Sequence, residues 1–104
     1  MYYLERQQDG SRIEGEVSIP ILQGPDGETL DLTCTRPQLG MSLFVGYRSM
    51  RGGLPHWRGT VTSRVTMIVS ETPTHVVFDT QSGSRYVWRV EAIKSAAIQA
   101  SRLH

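Results

Sequence analysis

Arginine, histidine and tryptophan crowd into one stretch of this chain. It reads Arg48-Ser49-Met50-Arg51-Gly52-Gly53-Leu54-Pro55-His56-Trp57-Arg58-Gly59, with Tyr47 just before it. Guanidinium forks pair bidentately with carboxylate or phosphate, and an indole offers a flat apolar face for stacking. Arg48, Arg51, His56, Trp57 and Arg58 are therefore the candidate binding residues. The bland alternative makes Trp57 a core anchor and leaves the arginines solvated. Residues 34–70 contain no carboxylate, while Arg36, Arg48, Arg51, Arg58 and Arg64 all fall there. Such a run suits an acidic partner, either an acidic protein surface or nucleic acid.

Nothing else in the chain has the residue types and spacing of a catalytic site. Cys34 alternates with Leu30 and Leu32, which places it on an apolar strand face as a structural thiol. His56, His75 and His104 have no metal-ligand spacing, and Cys34 is the only cysteine, so neither a metal nor a disulfide is expected. Glu14 and Glu16 share a strand face and read as solvated outer charges, as does Asp79. Gly52-Gly53 fits neither a phosphate loop nor a dinucleotide fingerprint. No cofactor site and no enzyme activity are expected.

The charge is uneven although the net value is only +1. Residues 1–33 carry two arginines against seven carboxylates, and residues 34–104 carry nine basic residues against three carboxylates. The two regions either neutralise one another in the fold or mark separate surfaces. Ten of the eleven basic residues are arginine, a bias that phosphate or carboxylate recognition and a GC-rich coding sequence explain equally well.

The elements that must position these residues read as short strands. Tyr2-Tyr3-Leu4 is β-prone, and Ile13 to Ile19 alternates with period two before Pro20 limits it. Gly24-Pro25-Asp26-Gly27 is a strong turn signal, and Thr29 to Cys34 reads as the strand after it. Ser42 to Tyr47 is a further strand. The Arg48–Gly59 stretch has no period, contains glycines and Pro55, and reads as a loop of about eleven residues joining regular strands. The last third gives three strands, Val61 or Arg64 to Ser70, His75 to Thr80 and Arg85 to Val90, with turns at Glu71–Thr74 and Gln81–Ser84. These form an antiparallel meander over about residues 61–90. Trp88 shares a face with Tyr86 and Val90 and belongs to the core.

From Glu91 the pattern becomes helical, because Val90, Ile93, Ala97 and Ala100 fall on one helix face. A short C-terminal helix is expected over about 91–101. At 104 residues, with 38% apolar and 20% charged, the chain is expected to be one small domain, mainly β. A small antiparallel barrel or strongly bent sheet, SH3-like or OB-like, buries so many short strands compactly. No secretory signal and no membrane span are legible, so the expected location is the cytoplasm.

Trp57-Arg58-Gly59-Thr60-Val61-Thr62-Ser63-Arg64-Val65, followed by Phe78-Asp79-Thr80-Gln81-Ser82-Gly83-Ser84-Arg85-Tyr86, resembles a pattern in small uncharacterised β proteins of phages and plasmids. There a "TSxV" strand precedes a "TxxxSxY" hairpin. The resemblance implies a bacterial mobile element and carries no activity and no functional residues. The function expected from the residues is a non-enzymatic binding module whose basic Gly/Trp loop meets an acidic protein surface, for example to inhibit a host factor. The alternatives are a nucleic-acid-binding small barrel and a structural subunit that assembles as a homo-oligomer.

Overall fold

A computed structural model describes residues 1–91, whose regular structure consists of antiparallel strands. The strands are β1 (Tyr2–Arg6), β2 (Arg12–Gly15), β3 (Val17–Gly24), β4 (Gly27–Leu30), β5 (Ser42–Arg51), β6 (Leu54–Val61), β7 (Val65–Glu71), β8 (His75–Thr80) and β9 (Arg85–Val90). They hold 64% of the described residues, and no helix occurs among those residues. The expected helix over 91–101 lies, apart from Glu91, outside the described residues.

Two sheets carry the strands. One has the order β2-β1-β9-β8-β7 and the other β4-β3-β5-β6. One of the two curls strongly into a half-barrel. The meander β7-β8-β9 matches the expectation, with turns at the expected places. It begins at Val65, because Val61 belongs to β6.

Side chains from both sheets meet in one core of Leu4, Leu43, Val45, Val65, Val76, Phe78 and Trp88. Trp88 is fully buried and stacks on Tyr2. Its Nε1–H donates to Ser18 Oγ at 3.0 Å, and Ser18 in turn donates to the carbonyl of Thr35 at 2.6 Å. The indole thus enters the core with its one polar atom satisfied. Arg36 lies over the Trp88 ring and clamps the turn between β7 and β8. Its guanidinium donates to Glu71 Oε2 and to the carbonyls of Thr72 and Pro73.

Four expectations are corrected. The run Ile13–Ile19 is two strands, because the chain bends at Glu16 and passes from one sheet to the other. Pro20 does not end β3. Its carbonyl accepts from Asp31 N–H at the point where the β4 ladder stops, so its missing N–H costs no strand pairing. The strand after the Gly24–Gly27 turn stops at Leu30, because Asp31 Oδ1 accepts from the N–H and hydroxyl of Thr33 and turns the chain. Leu32 is consequently exposed, and Cys34 is only partly buried, accepting from Gln38 Nε2 at 3.0 Å. Asp79 is not a solvated charge. It faces Arg85 across β8 and β9 in a bidentate ion pair, at 2.7 and 3.0 Å.

A candidate binding arm built from β5 and β6

The stretch expected to be a loop is a long β-hairpin. β5 runs to Arg51, Gly52 and Gly53 make the turn, and β6 returns from Leu54. Both turn glycines have positive φ, 56° and 78°, which is the backbone that a two-residue turn between twisted strands requires. The pairing is regular to the tip, with Arg48 opposite Trp57, Ser49 opposite His56, Met50 opposite Pro55 and Arg51 opposite Leu54. Pro55 is tolerated because β6 is an edge strand. Period two is invisible in this sequence because residues 47–59 are exposed on both faces of the ribbon.

The hairpin sorts the five candidate residues onto two faces. Arg48 and Trp57 share one. The Arg48 guanidinium sits 5.5 Å from the Trp57 ring centre, and Phe44 meets the same ring edge-on at 5.6 Å. Trp57 is therefore neither a core anchor nor a free side chain. It is 45% exposed and held from two sides. Arg51, His56 and Arg58 lie on the opposite face with Tyr47, Ser49 and Leu54. Beneath that face is a cleft of about 740 Å³ lined by Tyr47, Ser49, Arg51, Arg58 and, from β2, Ile13 and Glu14.

The arm gathers three arginines that no carboxylate pairs among the described residues, a state that Arg12 and Arg64 share singly elsewhere. Among the described residues the ion pairs are Arg6–Asp9, Arg36–Glu71 and Arg85–Asp79. Arg48, Arg51 and Arg58 have no carboxylate partner there, and the hairpin from Ser42 to Val61 contains none. Comparison with known protein families, with curated proteins and with solved structures finds no match. The arm's chemistry is therefore read from its own side chains.

Sequence reasoning missed a second feature. The face of the β4-β3-β5-β6 sheet that carries Trp57 holds a groove of about 490 Å³. Ile19, Ile21 and Phe44 form its floor, and Leu30, Trp57 and Val61 rise half-exposed around it. The signal was present in β3 and β5, where Ile19, Pro20 and Ile21, then Leu43, Phe44 and Val45, are apolar at both parities. Such a run marks a sheet with two apolar faces. Among the described residues no group of three or more His, Cys, Asp and Glu side chains is placed to hold a metal ion, and no helix is long and apolar enough to cross a membrane.

Proposed function

We propose that this protein is a non-enzymatic binding module that grips an acidic protein segment between its β5–β6 arm and β2. One observation carries the reading. The arm presents Arg51, Arg58 and His56 on one face, over a cleft, with no carboxylate of its own to neutralise them. Guanidinium groups in that state favour an incoming carboxylate, and Tyr47 and Leu54 on the same face supply the aromatic and apolar contacts typical of protein interfaces. Glu14 in the cleft wall opposes a phosphate backbone more than a peptide, whose own cations it can meet.

The strongly curled sheet supports a small barrel of SH3-like or OB-like kind as the platform for the arm. The lone cysteine fits a reducing compartment such as the cytoplasm. In a phage or plasmid setting an inhibitor of a host factor needs no more than such a surface. Nucleic acid is the second reading, favoured by the ribbon itself, since a two-stranded β-ribbon fits the major groove of B-form DNA.

Affinity capture from a bacterial lysate, with and without nuclease, separates the two. The expected result is nuclease-resistant capture of a protein by the wild type, weakened when Arg51 and Arg58 are both changed to Ala. Capture that disappears with nuclease transfers the arm to nucleic acid. Capture that the double change leaves intact removes the arm from the binding surface.

A further inference from the structure

The apolar groove beside Trp57 lies on the opposite side of the hairpin from the cleft, and it stands independently of the proposed partner site. The inner face of this sheet, with Leu43 and Val45, is sealed against the other sheet. On the outer face Ile19, Ile21 and Phe44 are already buried at the floor of the groove, and the apolar surface left exposed is its rim, Leu30, Trp57 and Val61. That rim is apolar surface which gains by leaving water, so it marks where a further layer would dock.

The charges at the ends of this face identify what covers it. Register places Glu28 opposite Gln23, one row beyond Leu30 and Ile21, at one end. Arg48, over Trp57, stands at the other end, beyond Phe44 and Gly46 along β5. The face is therefore apolar in the middle, anionic at one end and cationic toward the other, where Met50 and Pro55 follow Arg48 on the same face. Neither charge has an ion-pair partner among the described residues.

We infer that the occupant is a second copy of this chain, docked face to face through the groove. A twofold axis lying between the two faces, crossing the line from Glu28 to Arg48 at its midpoint, sets each Arg48 against the partner's Glu28. Both ends then form an ion pair by the same operation, as an isologous interface requires. Trp57, Val61 and Leu30 are covered together, and the arginine face of each arm, with Arg51 and Arg58, stays open on the outside of the pair. One assembly thus carries two partner clefts.

Sedimentation velocity on the full chain over a wide concentration range tests this, with Glu28→Arg, Arg48→Glu and the combined exchange as variants. The wild type is expected to be a dimer. Each single reversal is expected to raise the dissociation constant by at least about tenfold, since two ion pairs become two like-charge contacts. The combined exchange is expected to restore the wild-type value, because both ends pair again with the charges swapped. Val61→Lys, in the middle of the groove, is expected to give a monomer with an unchanged circular dichroism spectrum. A wild type that stays monomeric at every concentration overturns the inference, whether the face is covered by the chain's own last residues, by a different partner or by water. A dimer that ignores all four variants also overturns it, by placing the interface elsewhere. Loss of dimer in the single variants without rescue in the exchange removes the Glu28–Arg48 pairing and with it the proposed symmetry. None of these outcomes depends on the lysate partner, so the two readings fail separately.

Discussion

Trp57 and Trp88 have the same side chain in opposite situations. Trp88 is enclosed, hydrogen-bonded to Ser18 and flanked by Tyr2 and Arg36. Truncating it empties a large volume and leaves the Ser18 hydroxyl with its Thr35 bond alone, so Trp88→Ala should cost about 3–5 kcal/mol. In thermal unfolding this appears as a fall of more than about 10 °C. Trp57 has one cross-strand partner and one edge-on ring, so Trp57→Ala should cost no more than about 1 kcal/mol. Equal losses in the two variants would contradict these placements. The Asp79–Arg85 pair gives a second test at this scale. Hydrogen bonds from the Arg85 guanidinium hold the Asp79 carboxyl below the usual aspartate range. A carboxyl depressed in the folded state adds stability above its unfolded pKa, and that contribution is lost as pH falls through the folded value. Melting temperatures measured downward from neutral pH should therefore drop in the acid range below the ordinary aspartate pKa. Asp79→Asn should make that drop shallower. An identical acid limb in the variant would mean that the pair is not linked to folding.

Among the elements, those with one buried and one solvated face were legible from alternation alone. Arg85–Val90 and His75–Thr80 fall where the pattern of Tyr86, Trp88 and Val90 and the flanking turns put them. The arm was misread because its outer half has no buried face to impose period two, and a glycine pair marks an open loop and a tight hairpin turn alike. The candidate residues themselves were legible by type, since Arg48, Arg51, His56, Trp57 and Arg58 do share one element. Their division between two faces was not, because it depends on the register of β5 against β6. The place where the arm leaves the body also depends on contacts distant in sequence. Gly15 of β2 lies directly against Gly46 of β5, and Gly46 lies against Gly59 and the Arg58 carbonyl of β6. A Cβ at Gly46 would overlap backbone rather than a side chain that could move, so Gly46→Ala should unfold or displace the arm. Gly52→Asn should be neutral or stabilising by up to about 1 kcal/mol, because asparagine accepts the left-handed turn and narrows the unfolded ensemble. Chemical denaturation of the two variants checks both signs. A Gly46→Ala protein as stable as wild type would show that the three strands do not approach one another this closely.

At the scale of the whole molecule, the net charge of +1 cannot by itself attract an acidic partner. Any electrostatic steering has to come from the local field of the arm, which is screened over roughly 10 Å at ordinary salt. This separates local from global charge effects. Changing Arg51 and Arg58 to Ala removes two charges from the cleft face, and changing Arg12 and Arg64 to Ala removes two exposed charges that lie off the arm. Both variants carry the same net charge of −1. Exposed arginines without ion-pair partners contribute little to folding, so both proteins should keep the wild-type melting temperature within a few degrees. They should differ in binding. The Arg51/Arg58 variant should associate more slowly with the captured partner and lose most of the salt dependence of that rate, because rim charges act chiefly on encounter. The Arg12/Arg64 variant should keep both the rate and its salt slope. Association rates measured at low and high salt for the three proteins make the comparison. Equal slowing of the two variants would trace attraction to net charge and leave the arm without a special role. Slowing confined to Arg51 and Arg58 ties binding to the face that the hairpin turn and the β5–β6 register create.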